Sequence, residues 1–153
     1  MNLNLSQKLV SRGCVRGFTL AEVVIAAAIG AISIGGIIYG YVMSAQRAEW
    51  AAYAMAAQSL AMQRIEQTRA AKWDLESTPN VDQVVSANFP DQINILDVPI
   101  SGTNVVYATN FTTITTVSAS PPLRSIQVDC VWNWNVGGRL FTNTVVTYRS
   151  PDN

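Results

Sequence analysis

Between Arg16 and Met43 the chain reads RGFTLAEVVIAAAIGAISIGGIIYGYVM, and from Val23 to Met43 it holds no ionisable side chain except two tyrosines. That run is long enough to cross a bilayer, which takes ~20 apolar residues rising 1.5 Å each. It constrains the fold more than any other stretch, because an all-apolar helix must meet lipid or other protein. Glu22 stands near its start. A carboxylate in hydrocarbon costs several kcal/mol unless a partner neutralises it, so Glu22 reads as a functional group.

Charge around this run is asymmetric. Lys8, Arg12 and Arg16 are the only charges before it, and all are basic. From Phe18 onward seven basic residues face ten acidic ones, so the overall zero hides a negative C-terminal part. Basic flanks stay cytoplasmic, which places residues 1–17 inside and the rest of the chain outside. Spaced four apart, the three basic residues make one cationic helix face suited to anionic lipid headgroups. A zero balance gives no argument for nucleic-acid binding.

The same N-terminus has a plainer reading, the basic start of an ordinary secretory signal peptide. The apolar run is longer than such a signal needs, it carries Glu22, and Val42-Met43-Ser44-Ala45 is a poor cleavage site. Cys14 and Cys130 fall on opposite sides of the proposed membrane and cannot pair. Cys130, alone in a strand pattern, reads as a small buried apolar residue.

No proline interrupts residues 18–73, which read as one helix of roughly 80 Å. Four segments follow: a basic leader at 1–17, a membrane or filament-core helix at 18–45, its amphipathic continuation at 46–73, and a small β-sheet domain at 74–153. In the amphipathic part, Trp50, Tyr53, Ala54, Ala57, Leu60, Ala61, Ile65 and Thr68 share one stripe at helical spacing. Arg64 lies beside the stripe and is expected to snorkel outward. Met55, Met62, Arg69 and Trp73 fall on another face, free for something outside the domain. Gly36 and Gly40 form a GxxxG pair that permits close helix approach, with Gly30 and Gly35 nearby.

Pro79, Pro90 and Pro99 exclude a long helix over 74–103, where 81–85 and 93–98 are short strand candidates and 101–104 reads as a turn. Residues 105–117 are β-branched and Thr-rich, and Ser120-Pro121-Pro122 breaks that strand. Ile126, Val128, Cys130, Trp132 and Trp134 then alternate with mostly polar neighbours, the clearest period-two pattern in the chain. Residues 135–138 read as a hairpin turn, and 139–149 as the last strand. The expected fold is α+β: a long N-terminal helix packed against a small C-terminal antiparallel meander that covers the Trp50–Thr68 stripe. A lone meander is marginal, and the helix completes its core.

Catalytic chemistry is not visible. The chain has no histidine, no CxxC, no phosphate-binding glycine loop and no calcium-loop spacing of its carboxylates. Trp132 and Trp134 are better explained as core than as a stacking platform. No catalytic residue, metal or cofactor is implied.

Arg16-Gly17-Phe18-Thr19-Leu20-Ala21-Glu22 and the uncharged run after it resemble the class III signal of type IV pilins and type II secretion pseudopilins. The resemblance covers residues 16–43 well, and the continuation to Trp73 is similar to the lower half of a pilin's first helix. It implies cleavage between Gly17 and Phe18 by a prepilin peptidase that then N-methylates Phe18. It also implies that Glu22 pairs with the Phe18 amine of a neighbouring subunit during assembly. The implied partners are that peptidase, other pilin or pseudopilin subunits, membrane lipid before assembly, and an inner-membrane platform with its ATPase. The implied location is the bacterial inner membrane, single-pass with the C-terminal domain periplasmic, then a filament.

Departures from the family pattern favour a minor subunit. Tyr39 stands where many pilins carry proline, and the paired C-terminal cysteines of many major pilins are missing. A second reading of the same residues is a membrane-anchored periplasmic binding module that never enters a filament and uses its Trp-bearing sheet. A third is a secreted domain released near Gln46.

Overall fold

The computed structural model describes residues 17–96, 105–134 and 137–152. Helix α1 runs over Leu20–Ala70. Strands β1 (Trp73–Asp74) and β2 (Val81–Asp82) form a two-residue antiparallel pair. Strands β3 (Gln92–Ile95), β4 (Tyr107–Ala119), β5 (Pro122–Trp134) and β6 (Arg139–Arg149) form an antiparallel sheet in the order β3-β4-β5-β6. The fold is the expected α+β, one long helix and a C-terminal meander. The chain divides into two compact units that part between Met43 and Ser44.

In the first unit α1 is apolar and uncovered. Its most apolar eighteen-residue window has none of its residues buried, and it is long and apolar enough to cross a membrane. Ser33 returns its hydroxyl to the Ile29 carbonyl at 2.8 Å, so even this polar side chain is satisfied within the helix.

The second unit holds the core. Of the expected helix stripe, Tyr53, Ala57, Ala61, Ile65 and Thr68 are nearly inaccessible, Ala54 and Leu60 are half-buried, and Trp50 at its start stays exposed. The alternating residues of β5, Ile126, Val128, Cys130, Trp132 and Trp134, pack against it with Ala108 of β4. An aromatic group closes one end, with Trp132 stacked on Phe141 at 5.2 Å and Trp50 edge-on to Phe141 at 5.6 Å. Trp132 Nε1 donates to Asn143 Oδ1 at 2.9 Å, so its one polar atom is paired inside the core. Burial pushes the Cys130 thiol up to about 11, which fits its reading as an apolar residue.

The strands run along the body part of α1. Phe141 lies against Trp50, and the Arg149 guanidinium donates to the Thr68 carbonyl. Eight residues of strand at ~3.3 Å match eighteen of helix at 1.5 Å, about 27 Å in each case. Strand and helix are therefore nearly aligned, and β6 follows α1 in the same direction.

Several sequence expectations need correction. The helix spans 20–70 rather than 18–73, because the backbone beyond Ala70 finds other partners. Lys72 N–H donates to Gln83 Oε1 at 3.0 Å, and Trp73 N–H donates to Asp152 Oδ2 at 2.8 Å. Trp73 thus leaves the helix and enters the core at 2% exposure, instead of facing outward.

Arg64 does not snorkel. It is 8% exposed, with Nε donating to Thr112 Oγ1 at 3.2 Å, Nη1 to Gln67 Oε1 at 2.8 Å, and Nη2 to the Pro90 carbonyl. The candidate strand at 81–85 shortens to 81–82 and passes into a 3-10 turn at Ser86–Asn88. The one at 93–98 becomes 92–95, with Leu96 buried just beyond it, and 97–98 lie outside the described residues, as does the turn expected at 101–104.

Strand β4 continues to Ala119 and β5 starts at Pro122, so the break expected at Ser120-Pro121-Pro122 is a two-residue hairpin turn at Ser120-Pro121. At the next hairpin, Asn135 and Val136 lie outside the described residues, while Gly137 and Gly138 have φ of +94° and +63°, a region that favours glycine. Strand β6 has the expected bounds.

Candidate processing and assembly site

The segment that the sequence singles out lies at the start of α1. Phe18 is 86% exposed and Gly17 is exposed beside it. A Cβ at Gly17 would meet nothing within 4 Å, so the described fold itself does not demand a small residue there. Lys8, Arg12 and Arg16, like Cys14, lie outside the described residues.

Thr19 and Glu22 close on each other. Glu22 N–H donates to Thr19 Oγ1 at 3.2 Å, while Thr19 N–H and Thr19 Oγ1 each donate to Glu22 Oε2 at 2.8 Å. This is a capping box, in which Thr19 satisfies a free helix N–H and Glu22 reaches back to the N-cap backbone. The carboxylate also lies in the first turn, where the helix dipole favours negative charge. Glu22 is thereby supplied with partners from its own chain, at the start of an otherwise uncharged apolar run.

The T-x-x-E spacing was legible in the sequence as a cap ahead of an apolar run, and the charge argument alone passes over it. Thr19 is the residue so missed. Phe18 and Glu22, one helical turn apart in sequence, are both exposed here.

Beyond this start, Gly30, Gly35, Gly36 and Gly40 all lie open, and a Cβ at any of them would meet nothing within 4 Å. Each weakens a helix by up to ~1 kcal/mol relative to alanine. Nothing within the described chain packs on them to offset that.

The second unit offers no comparable constellation. No group of three or more potential metal ligands occurs among the described residues. Trp132 and Trp134 are 1% and 8% exposed, so neither presents an indole face to a ligand. Arg124 is occupied structurally: it makes two 2.7 Å contacts with Asp82, bonds the Val84 carbonyl, and lies 4.4 Å over the Trp73 ring.

Residues 12–38 match the family model for the prokaryotic N-terminal methylation motif, the signal of type IV pilins and pseudopilins. The match spans the end of the basic leader, the Thr19–Glu22 cap and the apolar helix as far as Ile38, with Gly30, Gly35 and Gly36 but not Gly40, and includes none of the sheet. Motif and helix together fit a pilin-like precursor, a structural subunit rather than an enzyme. No curated protein and no solved structure matches the chain.

Proposed function

We propose that this chain is a prepilin, inserted in the inner membrane with residues 1–17 cytoplasmic and the sheet domain periplasmic. It is cut between Gly17 and Phe18, N-methylated at Phe18, and assembled through α1 into a type IV pilus-like or type II secretion pseudopilus filament. The methylation motif at residues 12–38, with an apolar helix that none of the described residues covers, carries the reading.

Physical chemistry supports the cleavage and assembly steps. An exposed Gly17-Phe18 bond suits a membrane peptidase, and the basic leader holds the bond on the cytoplasmic side. Cleavage creates a positive amine at Phe18. Inside a low-dielectric bundle, that amine on one subunit and the Glu22 carboxylate on the next attract strongly, and either left alone is costly. Thr19 holds the carboxylate at the helix start until such a partner arrives. The open glycines let helices of neighbouring subunits approach closely. Partners on this reading are the peptidase and methyltransferase, other pilin or pseudopilin subunits, and the inner-membrane platform with its ATPase. The alternative of a binding module built on Trp132 and Trp134 loses its basis, since both indoles are core.

N-terminal mass analysis of the mature protein tests processing, with N-methyl-Phe18 expected and an intact leader the contrary result. Glu22→Ala and Glu22→Val are expected to be processed normally but to enter sheared filaments at least tenfold less often. Wild-type incorporation of either would remove the assembly role of Glu22.

A further inference from the structure

The sheet of the second unit ends in two unequal edges. On one side the edge strand is β3, four residues long. On the other side β6 exposes eleven residues, paired with β5 without a register shift. It contains no proline, lysine or glycine, and its only charges, Arg139 and Arg149, stand at its two ends. Arg149 is already engaged by Asp152 at 2.8 Å. Such an edge presents a row of unpaired N–H and C=O groups, which only another extended strand can satisfy as a ladder.

The side chains agree. On the sheet face away from α1, β6 exposes Leu140, Val146 and Tyr148 at 71%, 48% and 64%, and β3 exposes Ile93 and Ile95 at 69% and 58%. Asp129 is the one charged residue at the paired positions of that face in β5, and it is engaged by Thr144 and Gln127. Both edges are thus apolar on the same face.

Strand direction selects the occupant. An even number of antiparallel strands makes β3 and β6 run in opposite directions. Because the strands lie along α1, a two-fold antiparallel pairing of β6 with itself would turn the two body helices in opposite directions. Copies that share one direction along a filament, as the reading above has them, cannot use that pairing. Two copies in the same orientation instead bring β6 of one against β3 of the next, antiparallel, with their apolar residues on one face. This head-to-tail contact does not close on itself, as an extending assembly requires.

We propose that β6 is a strand-addition site for the β3 edge of a second, identically oriented copy of this chain. The common orientation rests on the membrane-anchored filament reading above.

Disulfide trapping in the full chain, produced with its processing machinery, tests this. Ile93→Cys is combined in turn with Thr142→Cys, Thr144→Cys and Val146→Cys, all at exposed positions, and adjacent strands bring one such pair within bonding distance. The expected result is a ladder of dimer, trimer and larger species for at least one pair. Adding Val146→Lys to the Ile93→Cys/Thr144→Cys chain is expected to weaken its ladder at least tenfold. Three results overturn the proposal: no ladder from any pair, dimers from Thr144→Cys alone, or an adduct with a different protein. Processing at Phe18 and filament yield are scored on the same cells. Filaments without a ladder overturn the strand pairing alone, and a ladder on an unprocessed chain overturns the filament reading alone.

Discussion

Arg64 illustrates how a single residue can depart from its helical address. Its position beside the apolar stripe suggests a snorkelling side chain, yet the guanidinium turns inward. It serves Thr112 on β4, Gln67 one turn on, and the carbonyl of Pro90, and it lies 5.4 Å over the Phe89 ring. Desolvation holds its pKa below the ordinary arginine value, with Asp91 opposing. Arg64→Met keeps the apolar stem but strands the Pro90 carbonyl and the Thr112 hydroxyl. It should cost about 1–3 kcal/mol in urea unfolding of the detergent-solubilised chain followed by tryptophan fluorescence. Arg64→Lys should recover only part, since an ammonium lacks the planar fork.

Asp82 makes the corresponding argument for pH. The hydrogen bonds from Arg124 lower its pKa from the ordinary 3.8, with burial opposing. A carboxyl whose folded pKa is depressed holds on to stability above the unfolded value and loses it as pH falls through the folded one. Asp152 shifts the same way, first through the Trp73 N–H and then through Arg149. Unfolding should therefore ease as pH falls below about 4. Asp82→Asn should be less stable than wild type at pH 6 and flatten the acid slope, read from thermal midpoints between pH 6 and pH 3.

Elements differ in how far their own residues foretell them. The alternation from Ile126 to Trp134 names both the strand and its buried face, because a period of two at this strength has one packing solution. Strand β6 is bounded by a glycine turn and by Pro151, both local signals. The stripe on α1 is legible for the same reason, as is the Thr19–Glu22 cap. Residues 74–96 are the contrary case. Strands β1 and β2 exist because Lys72 and Trp73 bond Gln83 and Asp152, the latter 79 residues away, and because Arg124 clasps Asp82. Propensity over a short window carries no trace of such partners. Trp132 shows how much the legible part bears: it touches Trp50, Tyr53, Trp134 and Phe141 and pairs its indole N–H with Asn143. Trp132→Ala should cost about 3–5 kcal/mol by the same urea measurement, whereas Trp50→Ala, 39% exposed, should cost clearly less.

At the scale of the whole molecule, the helix carries two kinds of surface in succession, and the chain divides where they change. Up to Met43 the apolar side chains of the helix have no partner among the described residues; from Ser44 one stripe of the same helix is the missing half of the sheet's core. The sheet alone would leave Ile126, Val128, Cys130 and Trp132 uncovered on one face, an exposed apolar patch that a soluble domain does not sustain. Two truncations separate these roles. A chain beginning at Ser44 keeps every core residue and should fold as a cooperative unit without detergent. A chain beginning at Ala71 keeps all six strands but loses Tyr53, Ala57, Ala61, Ile65 and Thr68, and should show no cooperative unfolding transition and should aggregate. Circular dichroism melts of the two proteins in detergent-free buffer check this directly. A folded sheet in the shorter chain would mean that the helix is only an anchor and that the sheet holds itself together without it.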